Sequence, residues 1–311
     1  MEILKRGIMA GFKTAWALGK VIFPITLFIT ILKYTPALPW LTKLIEPLMG
    51  LIGLPGDAAL ALVLGNFLNL YAAIGAILTL ELTVKEVFIL AVMLSFSHNI
   101  LVESSVAARV GVRISIVLGV RLGLAVLSAV AIHLLWDGGS EAAQYGLASA
   151  RETAAPSGWA DIVWQGIYTA GMGVFQLALV VLPLMVAIQF LKELGFLEQF
   201  SRLMSPATKL LGMKENTSTT LAAGLLFGLA FGAGVMIQAV REDGVEKKDL
   251  VLAFIFLVAC HAVVEDTLIF IPLGIPVLPL FMIRLCVAVL LTMIVSIIWR
   301  RMERKGLAYE N

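Results

Sequence analysis

The sequence predicts an all-α polytopic membrane protein made of two inverted-topology repeats, and three observations carry that prediction. Of its 311 residues, 60% are hydrophobic and 14% charged, where soluble domains carry roughly a quarter charged, and the mean hydropathy is +0.98. Glycines, prolines and rare intramembrane charges recur in the same order in the two halves. The lysines and arginines gather more cleanly on one side of a membrane when the second half runs in the opposite sense to the first.

The repeat rests on residues that a leucine-rich composition would not align by chance. A shift of 159 lays Pro24 on Pro183, Leu32-Lys33 on Leu191-Lys192, Pro47 on Pro206, Gly53 on Gly212, Gly65 on Gly224 and Gly75 on Gly234. Past the polar turn Arg241-Glu242-Asp243-Gly244, which absorbs four residues, a shift of 163 lays Glu86 on Asp249, His98 on His261, Glu103 on Asp266 and Arg121 on Arg284. A long internal period means that each copy is one structural unit. The chain therefore divides into a first transmembrane repeat over 1–136, an external polar linker over 137–160 and a second repeat over 161–311.

Each copy opens with a long apolar helix, 14–31 and 167–190, carrying a proline (Pro24, Pro183) where a kink would fall. Lys5-Arg6 ahead of the first run resembles the start of a secretory signal. The run is too long for a signal's apolar core and lacks a small-residue cleavage site, so it reads as a retained span. An amphipathic stretch follows in each copy, 39–52 with Trp40, Lys43 and Glu46, and 197–211 with Glu198, Arg202 and Lys209. That mixture suits a helix lying along the membrane interface. Next come Gly-rich segments, 57–80 and 216–240, the first interrupted by Gly65-Asn66-Phe67-Leu68-Asn69 and the second softened by Gly224, Gly228, Gly232 and Gly234. A site helix (85–108, 248–271) and a final span (112–136, 278–299) complete each copy. The connector 137–160 is polar and mildly acidic, with Gly, Ser and Pro and no apolar period.

If each Gly-rich segment enters and leaves on one side, a repeat has three full spans, and an odd number inverts the next repeat. With the N-terminus inside, the cytoplasmic segments hold Lys5, Arg6, Lys13, Arg109, Arg113, the basic residues from Lys192 to Lys214, Arg241, Lys247, Lys248 and those from Arg300 to Lys305. The outer segments hold only Lys33, Lys43, Lys85 and Arg151. Treating the Gly-rich segments as full spans would move Arg109 and Arg113 outside. The reading is thus re-entrant segments and both termini inside, in the cytoplasmic membrane of a prokaryote.

The chemistry concentrates in two stretches of the site helices. Ser95-Phe96-Ser97-His98-Asn99-Ile100-Leu101-Val102-Glu103-Ser104 sets an imidazole, an amide, a carboxylate and hydroxyls into an apolar segment, and Cys260-His261-Ala262-Val263-Val264-Glu265-Asp266-Thr267 repeats the idea. Ionisable groups inside a membrane cost several kcal/mol and are retained for function by default. The two stretches read as facing halves of one site near the membrane's middle, where inverted-repeat transporters bind solute with broken helices. On a continuous helix Glu265 shares a face with His261 four residues earlier. Glu103, five after His98, shares a face only if the helix loosens, which Asn99 and the serines promote by competing for backbone hydrogen bonds. Asn66 and Asn69 sit at the expected tip of the first re-entrant segment, and the second tip, 228–234, offers backbone rather than amides. The candidate substrate- and ion-binding set is therefore Asn66, Asn69, Ser97, His98, Asn99, Glu103, His261, Glu265, Asp266 and Thr267.

Other polar residues read as structural. Arg121 and Arg284 lie near enough to span ends to snorkel, which leaves anchoring and gating equally open for them, and Lys20 reads as snorkelling toward the cytoplasm. His133 beside Trp136 reads as interfacial and inert, and Cys260 and Cys286, both in apolar runs, imply no disulfide. There is no Walker A loop, no G-x-S-x-G elbow and no H-E-x-x-H helix, so nothing points to an enzyme. The net charge of +2 gives no reason to expect a nucleic-acid partner.

The paired segments "SFSHNILVES" and "CHAVVEDT", on equivalent helices after Gly-rich segments, resemble the nucleoside-recognition, or Gate, domain family of membrane proteins. The resemblance covers two copies, roughly 15–136 and 169–300. That family includes the gate segments of ferrous-iron transporters and spore-maturation membrane proteins, and is named for similarity to concentrative nucleoside transporters. The resemblance implies a transport core, while the lack of a GTP-binding domain sets the chain apart from the iron importers.

Three functions follow as expectations. The leading one is a secondary transporter of a small polar solute, nucleoside- or nucleobase-like on the family's account, working by alternating access with H+ or Na+ as coupling ion and no bound cofactor. The second is a divalent metal permease of Fe or Zn type, with His98, Glu103, His261, Glu265 and Asp266 as ligands. The third is a non-transporting membrane scaffold. Partners are then the lipid bilayer and a solute or cation, with room for a homo-oligomer.

Overall fold

The computed structural model describes residues 2–145, 158–242 and 244–304. Thirteen α-helices run in order as α1 (Glu2–Lys33), α2 (Ala37–Gly50), α3 (Ala58–Phe67), α4 (Leu70–Ile77), α5 (Val84–Ser97), α6 (Ile100–Arg109), α7 (Ile114–Leu135), α8 (Trp159–Glu193), α9 (Phe196–Leu210), α10 (Ser218–Glu242), α11 (Lys247–Ala259), α12 (Glu265–Leu268) and α13 (Val277–Arg304). Among the described residues the only extended pairing is one isolated bridge between Thr83 and Ala142. The protein is an all-α polytopic membrane protein with two repeats.

Among the described residues five stretches are long and apolar enough to cross a bilayer: Glu2–Lys33, Val84–Arg109 (α5 with α6), Ile114–Leu135, Trp159–Leu191 and Val277–Arg304. The sixth expected span, 248–271, is broken into the 13 residues of α11 and the 4 of α12. At 1.5 Å per residue α11 reaches only about 20 Å. Val84–Arg109 is 78% buried over its apolar window, whereas the other four are 22–28% buried. The site helix is therefore an inner element, and the outer four turn side chains such as Trp16, Phe28, Leu127, Phe175 and Leu290 toward lipid.

The chain packs as two compact units that cut across the repeats. The first holds Met1–Ile100, Leu124–Glu193 and Glu265–Leu280, and the second holds Leu101–Gly123, Leu194–Val264 and Phe281–Asn311. Each repeat thus places its broken site helix partly in one unit and partly in the other. The segment carrying Glu103 groups with α10 and α11 of the second repeat, and the segment carrying Glu265 and Asp266 groups with α3, α4 and α5 of the first.

In the first unit, α1 and α8, the opening helices of the two repeats, pack antiparallel along their length. Arg6 is bonded to Glu193 at one end (Nε to Oε1, 2.9 Å) and Tyr34 to Gln165 at the other (3.0 Å). An antiparallel pairing of equivalent helices is what inverted repeats require. The approach depends on small residues. A Cβ on Gly7 would fall 2.9 Å from the Val186 backbone, one on Gly11 2.9 Å from Leu182, and one on Gly166 2.7 Å from Leu27. Gly7-x-x-x-Gly11 is thus a packing motif in the first span. The two short helices α3 and α4 make up the first Gly-rich segment, tied to α1 by Thr26 Oγ1 donating to the Gly75 carbonyl (3.0 Å). Lys33 meets Glu81 at 2.6 Å and holds that carboxyl below its ordinary range.

The start of the linker is not loose. Val84 N donates to Glu141 O (2.9 Å), Lys85 N to Gly139 O (2.8 Å) and Ala143 N to Leu82 O (2.8 Å). Residues 146–157 of that linker lie outside the described residues. The first site helix starts with a Thr83–Glu86 capping box, and Lys85 Nζ donates to the His133 carbonyl (3.0 Å) and to Trp136 O at the end of α7, where a cation complements the helix dipole. His133 and Trp136 are therefore packing partners of the site helix. Lys20 is exposed and sits over the Trp16 ring at 5.5 Å.

In the second unit α9 is tied to the start of α10 by Ser201, which meets Ser218 and Thr219 at 3.1 Å each. Asp249, equivalent to Glu86, accepts from Lys214 N (3.0 Å) rather than closing a capping box. One glycine contact recurs in both repeats. Gly53 and Gly212 follow α2 and α9 with φ of +73° and +85°, and a Cβ would fall 2.2 Å from His133 in one and 2.0 Å from Ser296 in the other. His133 and Ser296 are themselves related by the shift of 163.

Candidate functional site

Both site helices break at their histidines. α5 ends at Ser97, His98 turns out of helical geometry (ψ 157°), Asn99 takes φ +55° and α6 resumes at Ile100. In the second repeat α11 ends at Ala259, Cys260 is extended, Ala262 takes φ +41° and α12 begins at Glu265. Asn99 and Ala262 are related by the repeat, and they are the only non-glycine residues with positive φ among those described. Left-handed geometry costs an L-residue about 1–2 kcal/mol, so two breaks at one register mark a feature that the fold maintains. Cys260 is fully buried at the second break.

The Gly-rich segments bond to these breaks. Asn99 N donates to Gly65 O (2.8 Å), and Ala262 N and Val263 N donate to Gly224 O (3.1 Å) and Leu225 O (2.9 Å). Gly65 and Gly224 permit that approach, since a Cβ would fall 2.3 Å from Leu94 in one repeat and 2.5 Å from Leu257 in the other. The segments break as well. α3 gives way to α4 at Leu68–Asn69, where Asn69 Oδ1 caps α4 by accepting from Ala72 N (3.0 Å). α10 loses helical geometry at Gly228 (φ 74°, ψ 176°), a region open essentially to glycine alone. Asn69 and Gly228 are the same position under the shift of 159, so the second tip lies at the start of the stretch expected for it.

The two histidines are held alike. His98 Nδ1 lies 2.7 Å from Leu94 O, and His261 Nδ1 lies 2.7 Å from Leu257 O. A carbonyl only accepts, so each Nδ1 carries a proton and each Nε2 is presented to a further partner. In the first unit that partner is Asp266, whose Oδ2 lies 3.9 Å from His98 Nε2. In the second it is Glu103, whose Oε1 lies 3.2 Å from His261 Nε2. Each histidine thus meets the carboxylate of the other repeat.

This arrangement replaces the pairing expected within each stretch. His261 and Glu265 share no helix face, because the chain is non-helical between them. Glu265 belongs to the first unit, where Tyr71 at the start of α4 donates its hydroxyl to Oε1 at 2.5 Å. Arg121 and Arg284 do not snorkel. Both are fully buried, Arg121 ion-paired with Glu103 and Arg284 Nη2 donating to the His261 carbonyl at 2.7 Å. Their recurrence in the repeat pointed to a shared role, but their nearness to span ends argued for the lipid interface. Tyr71 gave no signal of its own, because its partner lies 194 residues away.

The remaining expected residues fall at the breaks. Ser97 is buried and donates to Met93 O (2.8 Å), and Thr267 is buried beside Asp266. Asn99 is half-buried and contributes its backbone to the break. Asn66 is half-buried, and its Oδ1 is enclosed with no hydrogen-bond partner. The chain places paired acids and imidazoles at broken helices.

Comparison with known sequences gives the class. The sequence pattern of the Gate family, described as nucleoside recognition, matches residues 15–120 and 174–298. The chain belongs to this family of membrane proteins, as a two-copy member. It is also 59% identical over 309 residues, 99% of either chain, to a Bacillus subtilis (strain 168) protein named "Uncharacterized membrane protein YvoD". No solved structure matches it significantly.

Proposed function

We propose that this protein is a secondary transporter that carries a small polar solute, nucleoside- or nucleobase-like, across the cytoplasmic membrane by alternating access. The observation that carries the reading is the exchange of carboxylates between repeats at two broken helices. Groups supplied by both repeats change their relations whenever one repeat moves against the other, and unwound backbone at membrane depth is tolerated where it is buried in protein or lines a wet pathway. The histidine–carboxylate pairs suit a coupling proton. With Nδ1–H committed to a carbonyl, a hydrogen bond from His261 Nε2 to an ionised Glu103 requires a second proton on the ring.

A divalent-cation permease draws on the same nitrogen and oxygen donors. It is disfavoured at Glu103, where the Arg121 guanidinium already occupies the carboxylate. The test is uptake into proteoliposomes of tritiated uridine, adenosine and hypoxanthine, and of Zn2+ and Mn2+ in parallel, with and without an imposed pH gradient. Gradient-dependent uptake of one of the tritiated compounds, lost in His98→Gln and His261→Gln, supports the reading. Uptake of a metal alone moves the assignment to the permease. Uptake of neither, with cellular function unchanged in both variants, favours the scaffold.

A further inference from the structure

In the second unit, α9 is amphipathic with its faces reversed from those of a helix packed on a protein core. The side turned to the protein is hydroxylic. Ser201, Ser205 and Thr208 are buried, and Ser201 meets Ser218 and Thr219 at the start of α10. Phe196, Phe200, Leu203 and Leu210 follow one another at helical spacing and form a stripe on another face. Phe196 and Phe200 are half-buried and stack at 5.7 Å, while Leu203 and Leu210 are 72% and 68% exposed. A helix that buries its hydroxyls and exposes its leucines turns its apolar face to lipid rather than to the fold.

The charges around that helix divide by residue type. Three lysines are neutralised, Lys209 by Glu215 at 2.8 Å, Lys214 by Glu246, and Lys248 by Glu303 at 3.4 Å. Arg202, Arg300, Arg301 and Arg304 are exposed, and among the described residues none of them has a carboxylate within 4.0 Å. Arg300 is placed at the end of α9, since a Cβ on Gly212 would fall 2.7 Å from its Nη2. Arg202 lies on the same face of α9 as Lys209, about 10 Å along the axis. One unpaired guanidinium therefore stands beside the apolar stripe and another at its end. The first repeat lacks this chemistry on the same scaffold. Its α2 also exposes Trp40, Leu44 and Leu48, but the shift of 163 lays Arg300, Arg301 and Arg304 on Asp137, Gly138 and Glu141.

We propose that α9 and the end of α13 bind anionic phospholipids, with headgroup phosphates at Arg202 and Arg300 and an acyl chain along the Leu203–Leu210 stripe. Arg301 and Arg304 add to the local positive potential. Guanidinium matches phosphate oxygens with a planar fork, and each cation at a membrane surface contributes about 1 kcal/mol toward an anionic lipid. The stripe selects a lipid over a soluble phosphate. The excess of unpaired cations selects a net-negative headgroup over a zwitterionic one, whose own ammonium is repelled. The assignment does not depend on the transport reading.

The test is native mass spectrometry of the full-length protein, released from neutral detergent after equilibration with equimolar palmitoyl-oleoyl phosphatidylglycerol and phosphatidylcholine. Phosphatidylglycerol should be retained over phosphatidylcholine by at least about fivefold. Arg202→Gln/Arg300→Gln should bring the two lipids close to parity with the melting temperature in detergent kept, because both side chains are exposed. Should that double variant melt early, Arg202→Gln alone carries the test, with the preference falling at least about twofold. Leu203→Gln/Leu210→Gln should lower the amount of phosphatidylglycerol retained. Lys43→Gln, at the first-repeat equivalent of Arg202, is the control and should keep the preference. Parity in the unsubstituted protein, a preference kept in both arginine variants, or one lost equally in Lys43→Gln would each overturn the proposal. Displacement of phosphatidylglycerol by glycerol 3-phosphate at matched concentration would overturn it in favour of a soluble phosphate ligand.

Discussion

His261 and Glu103 stand 158 residues apart in the chain and 3.2 Å apart in the fold. One comes from each repeat. His98 repeats the relationship with Asp266 at 3.9 Å. The site helices break so that their ends can be exchanged, and the exchange makes each repeat supply half of the other's acid–imidazole pair.

Arg121 is the first residue to test. Removing one partner of a buried ion pair leaves the other charge uncompensated, at about 3–5 kcal/mol. Arg121→Ala should therefore destabilise strongly in detergent thermal or denaturant unfolding. Arg121→Ala with Glu103→Ala should recover part of the loss. Equal and additive losses would show that the two side chains are not coupled.

The repeat-related glycines give a second test. Gly53→Ala and Gly212→Ala place a methyl group within 2.2 Å of His133 or 2.0 Å of Ser296 at positive φ. Each should cost roughly 2–3 kcal/mol from strain and overpacking, read as a lowered melting temperature. Gly119→Ala, with nothing within 4 Å of the added carbon, is the neutral control. Should all three melt alike, the left-handed turns are not what fixes α2 and α9.

Ala262 carries left-handed strain that glycine would not. Ala262→Gly should raise stability by about 1 kcal/mol, whereas Asn99→Val should lower it, because a β-branched residue tolerates φ of +55° poorly. The readout is unfolding of the purified protein. Destabilisation by Ala262→Gly would mean that the break is held by contacts of the alanine methyl instead.

Topology is open to direct measurement. With inverted repeats and both termini inside, a fluorescent protein fused after Asn311 should fluoresce in the cytoplasm. A cysteine placed at Ser157 should react with an impermeant reagent added to intact cells. A cytoplasmic address for position 157 would reverse the assigned orientation.

Much of the fold was legible in the sequence because bilayers impose simple rules. Apolar length fixes the spans, and glycine and proline register fixes the repeat. Lysine and arginine distribution points to its inversion, with which the antiparallel packing of α1 on α8 agrees. The break at His98–Asn99 was legible in part, since asparagine and serine compete for backbone bonds. The matching break at Ala262 was not, because alanine favours helix, and the chain there leaves the helix with Ala262 N and Val263 N donating to the carbonyls of Gly224 and Leu225.

What the sequence determined by itself is the membrane class, the two-copy plan and the identity of the polar residues, all of which follow from local composition and spacing. Only the tertiary structure decided the partners: His98 with Asp266, His261 with Glu103, Tyr71 with Glu265, and two arginines turned inward. A residue's spacing specifies its neighbours while the helix is continuous. Once the helix breaks, its partner is set by whichever segment packs against the break, and residues more than 150 positions away compete on equal terms with those next in the chain.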